Sequence, residues 1–276
     1  MSKVRFLFSA AIFLLVIMIM AVDLFPFLWI FLTSIKSYKE LFSIPIIWFP
    51  AHPNLLFYRE VLEGPFLNYF KNTVVVSVAS TVLSIGIGSL AAYGFSRFKS
   101  RLSSKLMIVV LVTRMFPTIS LIVPLFLIMK AFTLLDTYIA LVIVYTTYSL
   151  PFVIWMMQAF FSEVPREVEE AALIDGSSRL GVFWRVTLRL AAPGLAATTI
   201  LELIYPWNEF PFAVVLTQTA ASKTAPVGIA EMVTSYAIAW GPMSAASILF
   251  TVPVLAFSLF TQKFLVRGLT LGAVKG

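Results

Sequence analysis

The sequence contains no cysteine and only one histidine, His52. The lack of cysteine excludes disulfide bonds and thiolate metal sites. No Gly-x-x-x-x-Gly-Lys-Ser/Thr phosphate loop, His-x-x-x-His pair or Gly-x-Ser-x-Gly elbow is present. The chain therefore lacks the usual residues for hydrolysing ATP, for zinc-dependent catalysis and for a serine nucleophile, and we expect it not to be an enzyme.

Charged residues are also scarce. They make up 12% of the 276 residues, while 60% are hydrophobic and the mean hydropathy is +0.97. Soluble domains carry roughly 25% charged residues. The composition therefore indicates a protein that is embedded in a lipid bilayer.

Six long apolar segments divide the chain. A helix needs roughly 20 apolar residues to cross a bilayer, and each segment is about that long or longer. We predict an all-α, polytopic membrane protein with six transmembrane helices at residues 6–33, 72–95, 106–130, 137–161, 191–216 and 244–266. Residues 34–71 and 217–243 are predicted to be exposed connections.

The distribution of basic residues predicts the orientation. With the N-terminus in the cytoplasm, 13 of the 20 Lys and Arg residues lie on the inner side, 6 lie outside, and Arg114 lies within a span. This excess on short inner loops follows the positive-inside rule. We therefore expect a multi-pass protein of the cytoplasmic membrane with both termini in the cytoplasm. The formal net charge of +7 is then explained without binding to nucleic acid.

The longest polar interval on the predicted inner side, residues 163–190, is predicted to form a helical hairpin. Pro165 suits a helix start, and Gly176 can adopt the left-handed conformation that ends a helix. Ser177 or Ser178 can cap the second helix. A face of that helix is expected to contain Leu180, Phe183, Trp184 and Thr187.

The residues Glu170-Ala171-Ala172-Leu173-Ile174-Asp175-Gly176, closing at Pro193, resemble the EAA loop of binding-protein-dependent ABC transporter permeases. In that family the loop is a coupling helix that lies in a cleft of a separate ATPase subunit. Members often carry proline where this chain has Arg189, so a less kinked exit is expected here. Taken alone, the hairpin also fits an ordinary amphipathic surface element or a DNA-binding helix-turn-helix. The flanking apolar segments favour the permease.

Shorter matches extend the resemblance over nearly the whole chain. They are similar to the MalG-like carbohydrate permeases, which have the ABC importer type I fold. The resemblance implies an N-terminal anchor helix and outer connector at residues 1–67, a permease core at 68–266 with its coupling loop at 163–190, and a cytoplasmic tail at 267–276. The matching segments include Ala91-Ala-Tyr-Gly-Phe-Ser-Arg-Phe98, Trp207-Asn-Glu-Phe210 and Gly268-Leu-Thr-Leu-Gly-Ala-Val-Lys-Gly276.

The resemblance also implies partners. A MalF-like sister permease would complete the pore, two ATPase subunits would bind ATP and Mg, and an extracytoplasmic solute-binding protein would deliver a sugar such as maltose or trehalose. No cofactor is expected in this chain. Residues 217–243 are a candidate contact for the binding protein. The residues expected to couple to the ATPases are Glu170, Ala171, Ala172, Asp175 and Gly176.

The fifth apolar segment is unusually polar, which predicts that it lines an aqueous path because polar groups in hydrocarbon need partners or water. Aromatic faces and hydrogen-bonding groups suit a sugar, although helix packing explains the same residues equally well. The candidates for the solute path are Tyr205, Trp207, Asn208 and Glu209, with Arg114 from the third segment.

Two alternatives remain open from the sequence. Intramembrane ionisable residues also suit a secondary transporter that is driven by ions; here they are Asp23, Arg114, Glu202 and Glu209. An ABC permease for a polyol or a glycerol phosphate would share the features of a sugar permease.

Overall fold

The computed structural model describes residues 3–98, 100–234 and 236–273, with side chains described between residues 8 and 259. Lys99 and Lys275, which were counted on the basic inner side, lie outside the described residues, as do residues 274–276 of the predicted tail. The helices in these ranges are α1 Lys3–Ser34, α2 Tyr38–Leu41, α3 Leu56–Glu63, α4 Phe66–Arg97, α5 Arg101–Thr113, α6 Thr118–Ala131, α7 Tyr138–Glu163, α8 Arg166–Ile174, α9 Arg179–Val182, α10 Leu188–Leu190, α11 Ala192–Asn208, α12 Pro211–Leu216, α13 Ala225–Ala230 and α14 Trp240–Ala273. A π-helical segment, Phe183–Thr187, joins α9 to α10.

The chain divides into two compact units. The first unit contains residues 1–67 and 229–252, and the second contains residues 68–228 and 253–276. The hairpin and the polar part of the fifth segment both belong to the second unit.

Among the described residues, four helical segments are long and apolar enough to cross a membrane: Phe8–Ser34, Phe66–Arg97, Tyr138–Glu163 and Trp240–Leu259. Two bent helix pairs raise the number of candidate spans to six if each pair counts as one. The prediction of an all-α membrane protein is confirmed by these helices. A broken helix can exist at membrane depth only where protein or water satisfies its backbone groups.

The third predicted segment, residues 106–130, does not form one helix. Helices α5 and α6 meet at an angle of 94°. Pro117 lies at the N-cap of α6, and a proline disfavours the helical conformation of the residue before it. Arg114 closes α5 through its backbone N–H, which donates to the carbonyl oxygen of Leu111.

Arg189 predicted a less kinked exit from the hairpin, but the exit is sharply bent. The segments Arg179–Leu190 and Ala192–Asn208 meet at 82°. Close packing at the start of α11 depends on Gly194, because a Cβ added there would lie 2.2 Å from Cγ of Phe160 on α7. A larger residue at position 194 would force the two helices apart.

The two predicted exposed connections are partly buried. Within residues 34–71, Ser34, Lys36, Phe57 and Val61 are buried. Within residues 217–243, the first part is also buried, and it includes Thr217, Ser222, Thr224, Ala225 and Val227. The polar sequence predicted exposure here, but hydrogen bonds from Asn72 and Asp136 satisfy several polar groups of residues 218–223, as described below.

Candidate functional site

The hairpin consists of α8, a four-residue turn and the helical segment from α9 to α10. Helix α8 follows Pro165 at its N-cap, and Glu167 and Glu169 lie in its first turn, where carboxylates interact favourably with the positive end of the helix dipole. The predicted helix–turn–helix is confirmed by these bounds.

The turn has the geometry of a Schellman motif. Gly176 has a φ of 86°, which confirms the left-handed conformation expected there. The N–H of Gly176 donates to the carbonyl oxygen of Leu173, and the N–H of Ser177 donates to that of Ala172, both at 3.0 Å. Ser178 caps the next helix, since its hydroxyl oxygen accepts the N–H of Gly181 at 3.1 Å. This turn therefore has a single, well-defined backbone conformation.

The apex of the hairpin exposes apolar side chains. Ile174 is 86% exposed, Leu180 64% and Trp184 57%. The coupling residues suggested by the resemblance lie around them: Glu170, Ala171, Asp175 and Gly176 are exposed and Ala172 is half-buried. An exposed apolar patch that is rimmed by charged residues is typical of a protein–protein interaction site.

The prediction that one helix face contains Leu180, Phe183, Trp184 and Thr187 is wrong. Phe183 and Thr187 are buried, whereas Leu180 and Trp184 are exposed. The π-helical segment starts at Phe183, and its wider turn changes the angle between successive side chains. The second half of the hairpin therefore has a buried face and a separate exposed apolar face.

A buried ion pair connects the hairpin to the end of α4. The guanidinium of Arg97 donates to both carboxylate oxygens of Glu169, from Nε at 2.8 Å and from Nη2 at 2.7 Å. The hydroxyl of Thr187 donates to Glu169 at 2.6 Å, and that of Tyr93 at 3.2 Å. We call these four residues the Glu169 network; it brings together α4, α8 and the second half of the hairpin.

Electrostatics favour the charged form of Glu169. Burial raises the pKa of this carboxyl, but hydrogen bonds from Arg97 and Thr187 and the charge of Arg97 outweigh it and hold the pKa below its ordinary value. The sequence had shown Glu169 only as a favourable charge in a first helical turn. Its partner Arg97 lies 72 positions earlier in the chain, so no local pattern could reveal the pair.

The polar candidates of the fifth segment differ in their surroundings. Trp207 is buried with its ring 5.8 Å from that of Phe70. Asn208 is exposed, and its amide donates to the carbonyl oxygen of Ile204 at 2.9 Å. Tyr205 is half-buried and stacks on Tyr148 with ring centroids 5.1 Å apart.

Glu209 caps α12. Its carboxylate accepts the N–H of Phe212 at 2.8 Å, the N–H of Ala213 at 3.1 Å and the hydroxyl of Tyr145 at 2.6 Å. These contacts satisfy a carboxylate that is only 5% exposed. The geometry gives Glu209 a structural role in holding the break between α11 and α12.

Arg114 lies at the bend between α5 and α6 and faces the same aromatic cluster. Its guanidinium lies 4.7 Å from the ring centre of Tyr148 and 5.5 Å from that of Tyr205. It also donates to the carbonyl oxygen of Tyr148 at 2.9 Å. Arg114, Tyr148 and Tyr205 thus form a half-buried group with cationic, aromatic and hydroxyl character. The exposed amide of Asn208 follows Tyr205 in the sequence by three positions.

At the opposite end of α4 and α7, Asp136 holds the start of the connection at residues 217–224. Its carboxylate accepts the N–H groups of Gln218 at 2.8 Å and Thr219 at 3.0 Å, and the hydroxyls of Thr219 and Ser222. Burial raises the pKa of Asp136, but these hydrogen bonds more than offset it and leave the pKa well below its usual range. The side-chain amide of Asn72 on α4 also donates to the carbonyl oxygens of Ala220 and Lys223.

Comparison with known proteins gives consistent results. Residues 84–270 match the family described as binding-protein-dependent transport system inner membrane component. The chain is 38% identical to the sulfoquinovosyl glycerol transport system permease protein SmoH of Agrobacterium fabrum, over 92% of this chain and 89% of that protein. It is 37% identical to the trehalose/maltose transport system permease protein MalG of Thermococcus litoralis, over 94% of both chains.

A solved structure supports the fold. A chain from the crystal structure of a bacterial ABC transporter involved in importing the acidic polysaccharide alginate superposes with a TM-score of 0.83. That comparison covers 95% of this chain and 98% of the other, at 24% identity. The helical membrane architecture described above is therefore that of ABC transporter permeases.

The Glu169 network predicts an unequal effect of two neighbouring substitutions. Glu169→Gln leaves the buried guanidinium of Arg97 without its counter-charge, and breaking a buried pair in this way costs about 3–5 kcal/mol. We expect a clearly lower midpoint of thermal unfolding for the detergent-solubilised protein. The exposed Glu167→Gln, on the same helix, is the matched control and should leave the midpoint nearly unchanged.

A double substitution separates charge pairing from packing. Arg97→Gln combined with Glu169→Gln removes both charges, so its loss of stability should be smaller than the sum of the two single losses. Equal midpoints for the Glu167 and Glu169 variants would contradict the role given to the network.

Proposed function

Because this chain belongs to the family of binding-protein-dependent transport system inner membrane components, we propose that it is the permease subunit of an ATP-driven importer that carries a sugar across the cytoplasmic membrane. The observation that carries the proposal is the hairpin, whose exposed apolar apex is bordered by the residues that resemble an EAA loop. The relative from Thermococcus litoralis is a trehalose/maltose transport system permease protein, which supports an oligosaccharide as the solute.

The apex of the hairpin fits the cleft of an ATPase subunit. Ile174, Leu180 and Trp184 supply apolar area, and association buries such area favourably. The carboxylates of Glu170 and Asp175 are exposed beside it and can pair with cations of the partner. Small Ala171 permits a close approach of the two surfaces.

The remaining partners are proposed on the same basis. A MalF-like sister permease completes the pore, two ATPase subunits bind ATP and Mg, and an extracytoplasmic binding protein delivers the sugar. We place the hairpin and both termini in the cytoplasm, in agreement with the charge distribution. The catalytic step then belongs to the partner subunits, and this chain transmits the movement.

The connection at residues 217–243 is proposed to contact the binding protein. Its first part is held rigidly by Asp136 and Asn72, so that a docked protein would meet a preformed surface. Preformed surfaces lose less conformational entropy on binding. Lys223, half-buried at the end of this rigid part, is a suitable position for a crosslinker.

The solute path is proposed to pass the group formed by Arg114, Tyr148 and Tyr205 and to reach Asn208. Aromatic faces and hydrogen-bond donors are suited to sugars. Trp207 and Glu209 have buried side chains, so we assign them to the packing around the path and not to contact with the sugar. The capping role of Glu209 also weakens the alternative of an ion-driven carrier, since its carboxylate is already occupied.

Reconstitution distinguishes a permease subunit from an autonomous carrier. In lipid vesicles, the chain alone should transport neither maltose nor trehalose. Uptake should require the sister permease, the ATPase subunits, the binding protein and ATP. A matched vesicle with a hydrolysis-deficient ATPase subunit serves as the control, and sugar uptake by the chain alone would overturn the proposal.

Substitution of Gly176 tests the coupling role of the turn. A Cβ at this position meets no atom of this chain within 4 Å, so within the chain the effect of Gly176→Val arises from the positive φ. The strain, about 1–2 kcal/mol or more for a β-branched residue, should deform the turn. We expect ATP hydrolysis by the assembled transporter to continue while sugar uptake per ATP falls.

Gly176→Asn provides the control, because asparagine tolerates the left-handed conformation. It should preserve uptake better than valine does. Normal uptake by the Gly176→Val transporter would show that the turn conformation is not needed for coupling.

The exposed amide of Asn208 tests the solute path. Asn208→Ala removes one hydrogen-bonding group, which is worth about 0.5–1.5 kcal/mol. We therefore expect the sugar concentration for half-maximal uptake to rise by roughly two- to tenfold. Asn68→Ala, which removes an exposed carboxamide from the first turn of α4, is the control; unchanged kinetics for both variants would place the sugar elsewhere.

A further inference from the structure

The side chain of Lys36 is buried. It follows the end of α1 by two residues and is 2% exposed. The ammonium lies 4.5 Å from the ring centre of Trp29. Among the described residues, no carboxylate forms an ion pair with it. The carboxylate of Glu40 acts on the ammonium electrostatically but is not in ion-pair contact with it. A buried cation without a direct partner among the described residues is unfavourable, and this points to an anion that is supplied from outside the chain.

A cavity lies directly beside this ammonium. It has a volume of about 240 Å³, and its wall is formed by Trp29, Thr33, Lys36, Glu40, Leu41, Ile46 and Trp240. We call it the Lys36 cavity. The hydroxyl of Thr33 is buried and has no hydrogen-bond partner among the described residues. Besides the carboxylate of Glu40, whose oxygens already accept hydrogen bonds from Ser37 and Ala51, the cavity contains an ammonium and an unpartnered hydroxyl. These are two donors suited to the oxygens of one anionic group.

The nearby carboxylate of Glu40 does not replace that anion. One of its oxygens accepts the N–H and the hydroxyl of Ser37 at 2.8 and 2.9 Å, and the other accepts the N–H of Ala51 at 2.8 Å. Burial lowers the pKa of Lys36, and the opposing charge of Glu40 does not restore it to its ordinary value. Among the described residues, Glu40 is thus a charged neighbour of Lys36 but not its ion-pair partner.

The surroundings of the cavity are those of a membrane interface. The apolar segment Phe8–Ser34 ends beside it. The ring of Trp48 lies 5.4 Å from that of Trp29, and tryptophan is enriched where the bilayer meets water. Ile46 is 64% exposed, so the wall of the cavity continues into apolar surface. An anionic group with attached apolar chains fits this combination better than a small ion.

We propose that the Lys36 cavity binds the phosphate of an anionic phospholipid, with the ammonium of Lys36 and the hydroxyl of Thr33 contacting the phosphate oxygens. The acyl chains then lie along the exposed apolar side chains of α1, which include Phe25 and Leu28. Hydrogen bonds from an ammonium to phosphate oxygens are charge-assisted and therefore stronger than neutral ones. Such a lipid fixes the end of α1 against the connector that follows it.

Thermal unfolding of the detergent-solubilised full chain tests the proposal. Phosphatidylglycerol is titrated against the wild type, Lys36→Gln and Lys39→Gln. Lys39 is an exposed lysine on the same connector, so its variant matches the change of charge. The concentration of phosphatidylglycerol that gives half the maximal shift should rise about tenfold for Lys36→Gln, because a hydrogen bond to a charged group is lost. It should be unchanged for Lys39→Gln.

Two further arms distinguish the sources of the anion. Inorganic phosphate at the same concentrations should not shift the midpoint; an equal shift would overturn the assignment to a lipid. Thr33→Val keeps the shape of the side chain and removes the unpartnered hydroxyl, so it should fold even where Lys36→Gln does not. It should weaken the effect of phosphatidylglycerol severalfold, and an unchanged response in Thr33→Val and Lys36→Gln would overturn the proposal.

Discussion

The ion pair between Arg97 and Glu169 is the interaction on which the geometry of the hairpin depends. It joins the last residue of α4 to the first turn of α8, and Thr187 adds the second half of the hairpin to the same carboxylate. A buried ion pair contributes little net stability compared with apolar packing. Its directional hydrogen bonds nevertheless fix one arrangement of three segments. The apex can therefore expose apolar side chains while its base remains held against α4.

Helix α4 is also held at its other end. Asn72, near the start of α4, binds the carbonyl oxygens of Ala220 and Lys223, and Tyr138 at the start of α7 donates to its amide oxygen. Hydrogen bonds thus connect α4 to the hairpin on one side and to the connection at residues 217–224 on the other. A ligand or partner transmits free energy only through differential interactions with two states. A helix that is fixed at both ends is a physical means by which a force on the hairpin could reach the opposite side.

Hydropathy and local turn residues were sufficient to predict much of this fold. The apolar segments predicted membrane helices because the bilayer imposes their length, and Gly176 with Ser178 predicted the turn because its chemistry is local. The 94° bend between α5 and α6 was not predicted. Pro117 was visible in the sequence, but proline can also be accommodated inside a helix, as Pro124 is in α6. The Glu169 network was missed for a different reason, since its residues become neighbours only in the folded chain.

Polar residues in an apolar segment show why sequence alone could not assign roles within the candidate site. Glu209 and Asn208 are adjacent, and both suggested an aqueous path. A carboxylate in hydrocarbon must find partners or water, and the structure gives Glu209 two backbone N–H groups and the hydroxyl of Tyr145. Asn208 instead keeps an exposed side chain. The break between α11 and α12 thus uses one polar side chain to stabilise the backbone and leaves its neighbour accessible.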